Sequence, residues 1–124
     1  MTIIRSFLLF LLCISIASAD SVAFTQSTFD KLQAQGLPVL ISIHADWCPT
    51  CRAQAPIVAK LLKQAEFQPI SALTVDFDQQ KPVVNAFKAT MQSTLIVFKG
   101  GKEVGRSVGD TSITGIENLL KKAL

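Results

Sequence analysis

The chain has 124 residues, which suits one domain. Twelve basic and nine acidic residues give a net charge of +3, and both signs are scattered with no basic run, so there is no nucleic-acid footprint. With no tyrosine, one tryptophan and eight phenylalanines, the core must be aliphatic and phenylalanine-rich.

Residues Met1 to Arg5 are short and carry one positive charge. Phe7 to Ala17, FLLFLLCISIA, is almost continuously apolar, and Ala17 and Ala19 are small residues ahead of Asp20. This is the pattern of a secretory signal peptide over residues 1–19, cleaved after Ala19. The apolar run falls short of the ~20 residues that span a bilayer, which argues against a retained anchor. Cys13 sits inside that run after Leu12, which does not fit a lipoprotein. Cleavage would leave residues 20–124 as one soluble, monomeric domain. It would also remove Cys13, leaving Cys48 and Cys51 in an oxidising compartment, the periplasm or another secretory space.

In the remaining chain, Val22 to Phe24 reads as a short strand. Ser27 is expected to cap a helix, with Asp30 favouring its first turn, Phe29 and Leu32 facing the core, and Gly36 ending it. Val39 to Ala45, VLISIHA, is apolar on both faces, as a central strand should be. Pro49 suits a first helical position, and Ile57, Leu61, Leu62 and Ala65 recur at helical spacing, with a kink expected at Pro56. Ile70 to Phe77 reads as a strand and Val83 to Ala89 as a short helix. Thr94 to Lys99 and Lys102 to Val108 form a hairpin around Gly100 and Gly101. Ile113, Ile116, Leu119, Leu120 and Ala123 mark a closing helix, capped by Asp110 or Thr111. The order β-α-β-α-β-α-β-β-α predicts an α/β fold with a mixed central sheet and helices on both faces.

The chemistry concentrates in Ala45 to Pro56, ADWCPTCRAQAP. Cys48 falls just past the end of the central strand and at a helix start, where reaction sites of open α/β sheets gather. Unpaired N–H groups and the helix dipole favour thiolate there. Cys51 lies one turn later, beneath it. The spacing makes Cys48 the nucleophile and Cys51 the resolving thiol of a redox pair. Two other readings compete. A structural disulfide across two residues restrains the unfolded chain little. A metal site would need more ligands than this pair, and His44 is the only nearby histidine.

Trp47, Cys48, Cys51 and Pro56 resemble, in type and spacing, the active-site segment of the thioredoxin superfamily. The segment from Val75 to Gly109 looks like that family's third strand, intermediate helix and final hairpin. The resemblance implies a thioredoxin-like fold and thiol–disulfide oxidoreductase activity through a Cys48–Cys51 disulfide, with no organic cofactor. It also implies substrate contacts by Trp47, Gln92 and Ser93, supported by Pro49, Thr50 and Pro56.

Three departures stand out. The family's cis-proline is replaced by Ser93, so the Gln92–Ser93 bond is expected to be trans. Its hydroxyl and backbone N–H are expected to approach Cys48, while Gln92 would pair its backbone with an extended substrate. The family's buried aspartate and its companion lysine are replaced by Ser42 and Thr74, which leaves water, or a hydroxyl-linked water, as the proton acceptor for Cys51. The dipeptide Pro49-Thr50 brings no positive charge, which implies a potential between those of strong reductants and strong oxidants. Asp76 and Asp78 read as structural residues at a strand end, and Arg52 as a solvated helix residue.

The function expected is exchange of disulfides with envelope proteins, with a membrane-embedded redox partner if the protein acts as a reductant. The alternatives are a metal-binding or metal-delivery module, motivated by Ser93 and His44, and a redox-inert binding module with a static disulfide.

Overall fold

The computed structural model describes residues 21–124, so the expected leader at 1–19 lies outside the described residues. Five strands form one sheet: β1 Val22–Ala23, β2 Val39–His44, β3 Ser71–Asp76, β4 Thr94–Lys99 and β5 Lys102–Val108, in the order β1-β3-β2-β4-β5. β1, β3 and β2 run parallel, and β4 is antiparallel to both β2 and β5. β2 is central, and its Val39, Leu40, Ile41 and Ile43 are wholly buried because both faces of the sheet are covered.

The helices are α1 Gln26–Ala34, α2 Pro49–Leu62, α3 Lys81–Ala86 and α4 Ile113–Lys121, with a 3-10 turn at Ala65–Phe67. Side chains alternate along the strands and divide the core in two. Leu40, Leu95 and Val97 pack with Leu61 and Leu62 of α2, Phe67, and Ile116 and Leu120 of α4. Ile41, Ile43, Leu73, Val75 and Ile96 pack on the opposite face under α1 and α3. There Phe24, Phe29, Phe87 and Phe98 meet with ring centroids 5.2–5.9 Å apart, mostly edge to face. The hairpin turn lies where expected, with Gly100 and Gly101 at φ +58° and +77°, the left-handed pair a tight β-turn demands.

β1, β2 and β3 are each one or two residues shorter than expected, and the helix boundaries differ in four places. α1 is capped by Thr25, whose hydroxyl accepts the Thr28 N–H at 3.2 Å, and not by Ser27, which lies inside the helix. α2 runs unbroken through Pro56 but stops at Leu62, and exposed Ala65 begins the 3-10 turn that swings Phe67 into the core. α3 starts at Lys81, because Pro82 is tolerated in a first turn, and it ends at Ala86 ahead of left-handed Lys88 at φ +55°. α4 is capped by Ser112, whose hydroxyl accepts the Gly115 N–H, and Asp110 steadies that cap by accepting the Ser112 N–H and O–H. Ile113 therefore opens the helix on its exposed side and is no part of the core.

Candidate active site

β2 ends at His44, a turn through Ala45, Asp46 and Trp47 follows, and Cys48 is the N-cap of α2. Pro49 opens the helix, where its missing N–H costs nothing. Cys48 Sγ takes the place of a capping oxygen and accepts the Cys51 N–H at 3.2 Å. The two cysteines are free thiols on consecutive turns, packed with Ala45 and edged by Phe77. Cys51 is 1% exposed and Cys48 7%, so both are buried and Cys48 is the more accessible of the two.

The two thiols titrate in opposite directions. Cys48 is held below the ordinary thiol range by a hydrogen bond with the Cys51 side chain and then by the Ser93 hydroxyl, which together outweigh its burial. Backbone N–H groups of Cys51 and Thr50 add to this, as expected at a helix N-terminus. Burial pushes Cys51 up, and its hydrogen bond with Cys48 pushes it further. Cys48 is therefore the sulfur that ionises first.

Ser93 closes the site from the loop before β4. No peptide bond among the described residues is cis, so Gln92–Ser93 is trans, as expected. The loop reverses instead through a left-handed Ser93 at φ +58°, a conformation costing on the order of 1–3 kcal/mol for a residue with a Cβ. Three hydrogen bonds hold it there. Its N–H donates to Ile43 O at 2.9 Å, and its carbonyl accepts from the Gly109 N–H at 2.9 Å and the Gln54 side-chain amide at 3.3 Å. The N–H therefore does not reach Cys48, contrary to expectation, because β2 takes it. The hydroxyl does reach the pair, and it is nearer the inner sulfur, 3.0 Å from Cys51 Sγ and 3.4 Å from Cys48 Sγ.

Around this centre, Trp47 is 57% exposed, and its indole N–H donates to Asp78 Oδ2 at 2.6 Å. Asp78 thus orients the tryptophan, whereas Asp76 accepts the N–H groups of Asp78 and Gln79 and shapes the turn. Gln92 is half-buried beside exposed Met91. Thr50 is half-buried, and Pro49, Arg52 and Pro56 are exposed. Ser42 and Thr74 are half-buried. With Ser21, His44, Ala55 and Val58 they line a cavity of about 210 Å³ beneath α2. His44 Nε2 lies 2.9 Å from Asp46 Oδ1, away from the sulfurs' own bonds. Among the described residues no three His, Cys, Asp or Glu side chains gather as metal ligands, so the metal-module alternative finds no donor set among them.

Gln54 was missed. It is 3% exposed on the inner face of α2, in step with Cys51, Val58 and Leu61, and its amide bridges Ser93 O and Asp110 O. The signal was available, since a glutamine at a core-facing helical position must find partners.

Comparison with known proteins agrees with this geometry. Residues 20–122 match the protein family described as Thioredoxin. The chain is 34% identical over 101 residues to "Thioredoxin 1" of Nostoc sp., covering 81% of this chain and 94% of the relative. It is 36% identical over 98 residues to "Thioredoxin" of Chlamydia trachomatis, covering 79% and 93%. Among solved structures, Trxlp from Edwardsiella tarda superposes with a TM-score of 0.79 at 36% identity, covering 82% of this chain and 98% of that one.

Proposed function

The chain belongs to the thioredoxin family, and on that premise we propose that it is an exported thiol–disulfide oxidoreductase of envelope proteins. Cys48 is the nucleophile. Its thiolate attacks a substrate disulfide, one Cys48–substrate bond forms, and the first substrate sulfur leaves as a thiolate. Cys51 then attacks Cys48 Sγ, the second substrate sulfur leaves, and two electrons have passed from the pair to the substrate. Run backwards, the same steps oxidise a substrate dithiol. No cofactor enters, because the redox centre is the Cys48–Cys51 pair itself.

Trp47 and the loop at Gln92 and Ser93 flank the opening to Cys48, so an extended substrate strand would lie between them and pair with the Gln92 backbone. Export rests on the leader at 1–19, and a membrane-embedded redox partner would return electrons to the pair in an oxidising compartment. The observation that carries the reading is Cys48 Sγ acting as N-cap of α2, one turn above a buried thiol.

Insulin reduction driven by dithiothreitol tests it. Cys48→Ser is expected to reduce the rate to the uncatalysed background, and Cys51→Ser to accumulate a mixed disulfide with its substrate. A Cys48→Ser protein as active as the parent would overturn the proposal.

A further inference from the structure

A hydroxyl has one proton to donate and two lone pairs with which to accept. Ser93 Oγ lies within reach of both sulfurs, at 3.0 Å from Cys51 and 3.4 Å from Cys48, so it can donate to only one of them at a time. Its backbone cannot follow either sulfur, because Ile43, Gly109 and Gln54 hold it from three sides. The residue is 2% exposed, so little bulk water competes for the hydroxyl. What remains free is the direction of one O–H bond.

We propose that Ser93 is a switchable donor, which turns its hydroxyl from Cys48 to Cys51 once Cys48 has captured a substrate sulfur. The inference rests on the oxidoreductase reading of the pair. In the reduced protein with Cys48 ionised, the Cys51 S–H and the Ser93 O–H both donate to the Cys48 thiolate. Attack forms the Cys48–substrate bond, breaks the substrate's own S–S bond and releases the first substrate thiolate. Cys48 is now neutral, and the charge that held the hydroxyl is gone. The O–H turns to Cys51, whose proton leaves to solvent as its thiolate forms. That thiolate attacks Cys48 Sγ, the Cys48–Cys51 bond forms, and the second substrate sulfur departs with its electron pair and takes a proton from solvent. Capture of the substrate thereby activates the sulfur that must release it.

No other side chain among the described residues competes for this role. Apart from the pair itself, Ser93 is the only side chain hydrogen-bonded to either sulfur. Of the charged groups on the surrounding elements, Arg52 of α2 is exposed, His44 at the end of β2 is paired with Asp46, and Asp78 beyond β3 is occupied by Trp47. Asp110, beyond β5, is occupied by Ser112.

The test titrates each thiol alone by thiolate absorbance. With Cys48→Ala as background, adding Ser93→Ala is expected to raise the Cys51 midpoint by about one pH unit or more, and with Cys51→Ala as background the same change is expected to raise that of Cys48. A rise in only one background, or in neither, overturns the switch. Fast mixing of the reduced protein with oxidised glutathione supplies the kinetic arm. Ser93→Ala is expected to slow resolution of the Cys48–glutathione disulfide roughly tenfold at neutral pH, with recovery as pH rises through the Cys51 midpoint. Ser93→Gly, which accepts a φ of +58° without strain and lacks the hydroxyl, is expected to behave alike and carries the test if the alanine variant folds poorly. Resolution at the parent rate in both variants overturns the switch and leaves the oxidoreductase reading standing. Failure of the parent protein to exchange with oxidised glutathione overturns both.

Discussion

A thiol attacks only as its thiolate, so the opposed titrations of two sulfurs one turn apart decide which of them meets a substrate. Cys48 is lowered by hydrogen bonds from Cys51 and Ser93, so its thiolate persists to lower pH than a free cysteine's. Cys51 is raised chiefly by burial, so its thiolate appears only at higher pH. Alkylation of the reduced protein by iodoacetamide, mapped by mass spectrometry, is expected to modify Cys48 first, with a rate that falls as pH drops through a midpoint below that of an ordinary thiol. Cys51 is expected to lag and to react only at higher pH than Cys48. Modification of Cys51 first would contradict the geometry. This division of labour was legible in the sequence because it is local: a strand end, a proline suited to a first helical turn, and two cysteines three positions apart. The direction of the Ser93 N–H was not legible, since it depends on β4 lying against β2 and presenting Ile43 O. Gln54 was hidden for the same reason, with its partners 39 and 56 positions along the chain.

At the scale of elements, hydrophobic periodicity and the Gly100-Gly101 turn together placed the strands and α-helices in order. Helix ends were less legible. Ser27 and Thr25 both precede the apolar positions of α1, and both are capping residue types. What separates them is the extended backbone of Thr25, at φ −128° and ψ 145°, which aims its hydroxyl at the Thr28 N–H. Thr25→Ala removes that acceptor and is expected to cost roughly 0.5–2 kcal/mol in urea unfolding. Ser27→Ala replaces an exposed serine inside the helix by the best helix former and is expected to be neutral or slightly stabilising. Equal losses in the two variants would refute the assignment. Ser112 and Asp110 show the same logic at α4. Asp110 was a reasonable cap by type, yet the chain places it two residues early, where it braces the true cap.

At the scale of the molecule, the sulfur pair is joined to both halves of the core. α2 carries it and packs with α4 on one face, Phe77 links it to the cluster on the other, and the Ser93 loop ties it to β2 and to the strand end at Gly109. The redox state of two sulfurs is therefore linked to the stability of the whole domain. The fold favours the reduced form in proportion to how well it holds the Cys48 thiolate. Here the donors are neutral, the Cys51 and Thr50 N–H groups, the Cys51 thiol and the Ser93 hydroxyl, with no cationic side chain bonded to the sulfur. That is weaker than a cation would be, so the potential is expected to lie below about −120 mV, typical of a strong periplasmic oxidant. Removing the Ser93 hydroxyl destabilises the reduced state more than the disulfide, so Ser93→Ala is expected to move the potential to more negative values. For a two-electron couple, every ~30 mV of that movement must appear as ~1.4 kcal/mol in the difference between the unfolding free energies of the dithiol and disulfide forms. Equilibration against glutathione gives the first quantity and urea denaturation of each redox form the second. A positive shift in potential, or a shift with no matching change in the stability gap, would show that the hydroxyl does not hold the reduced pair.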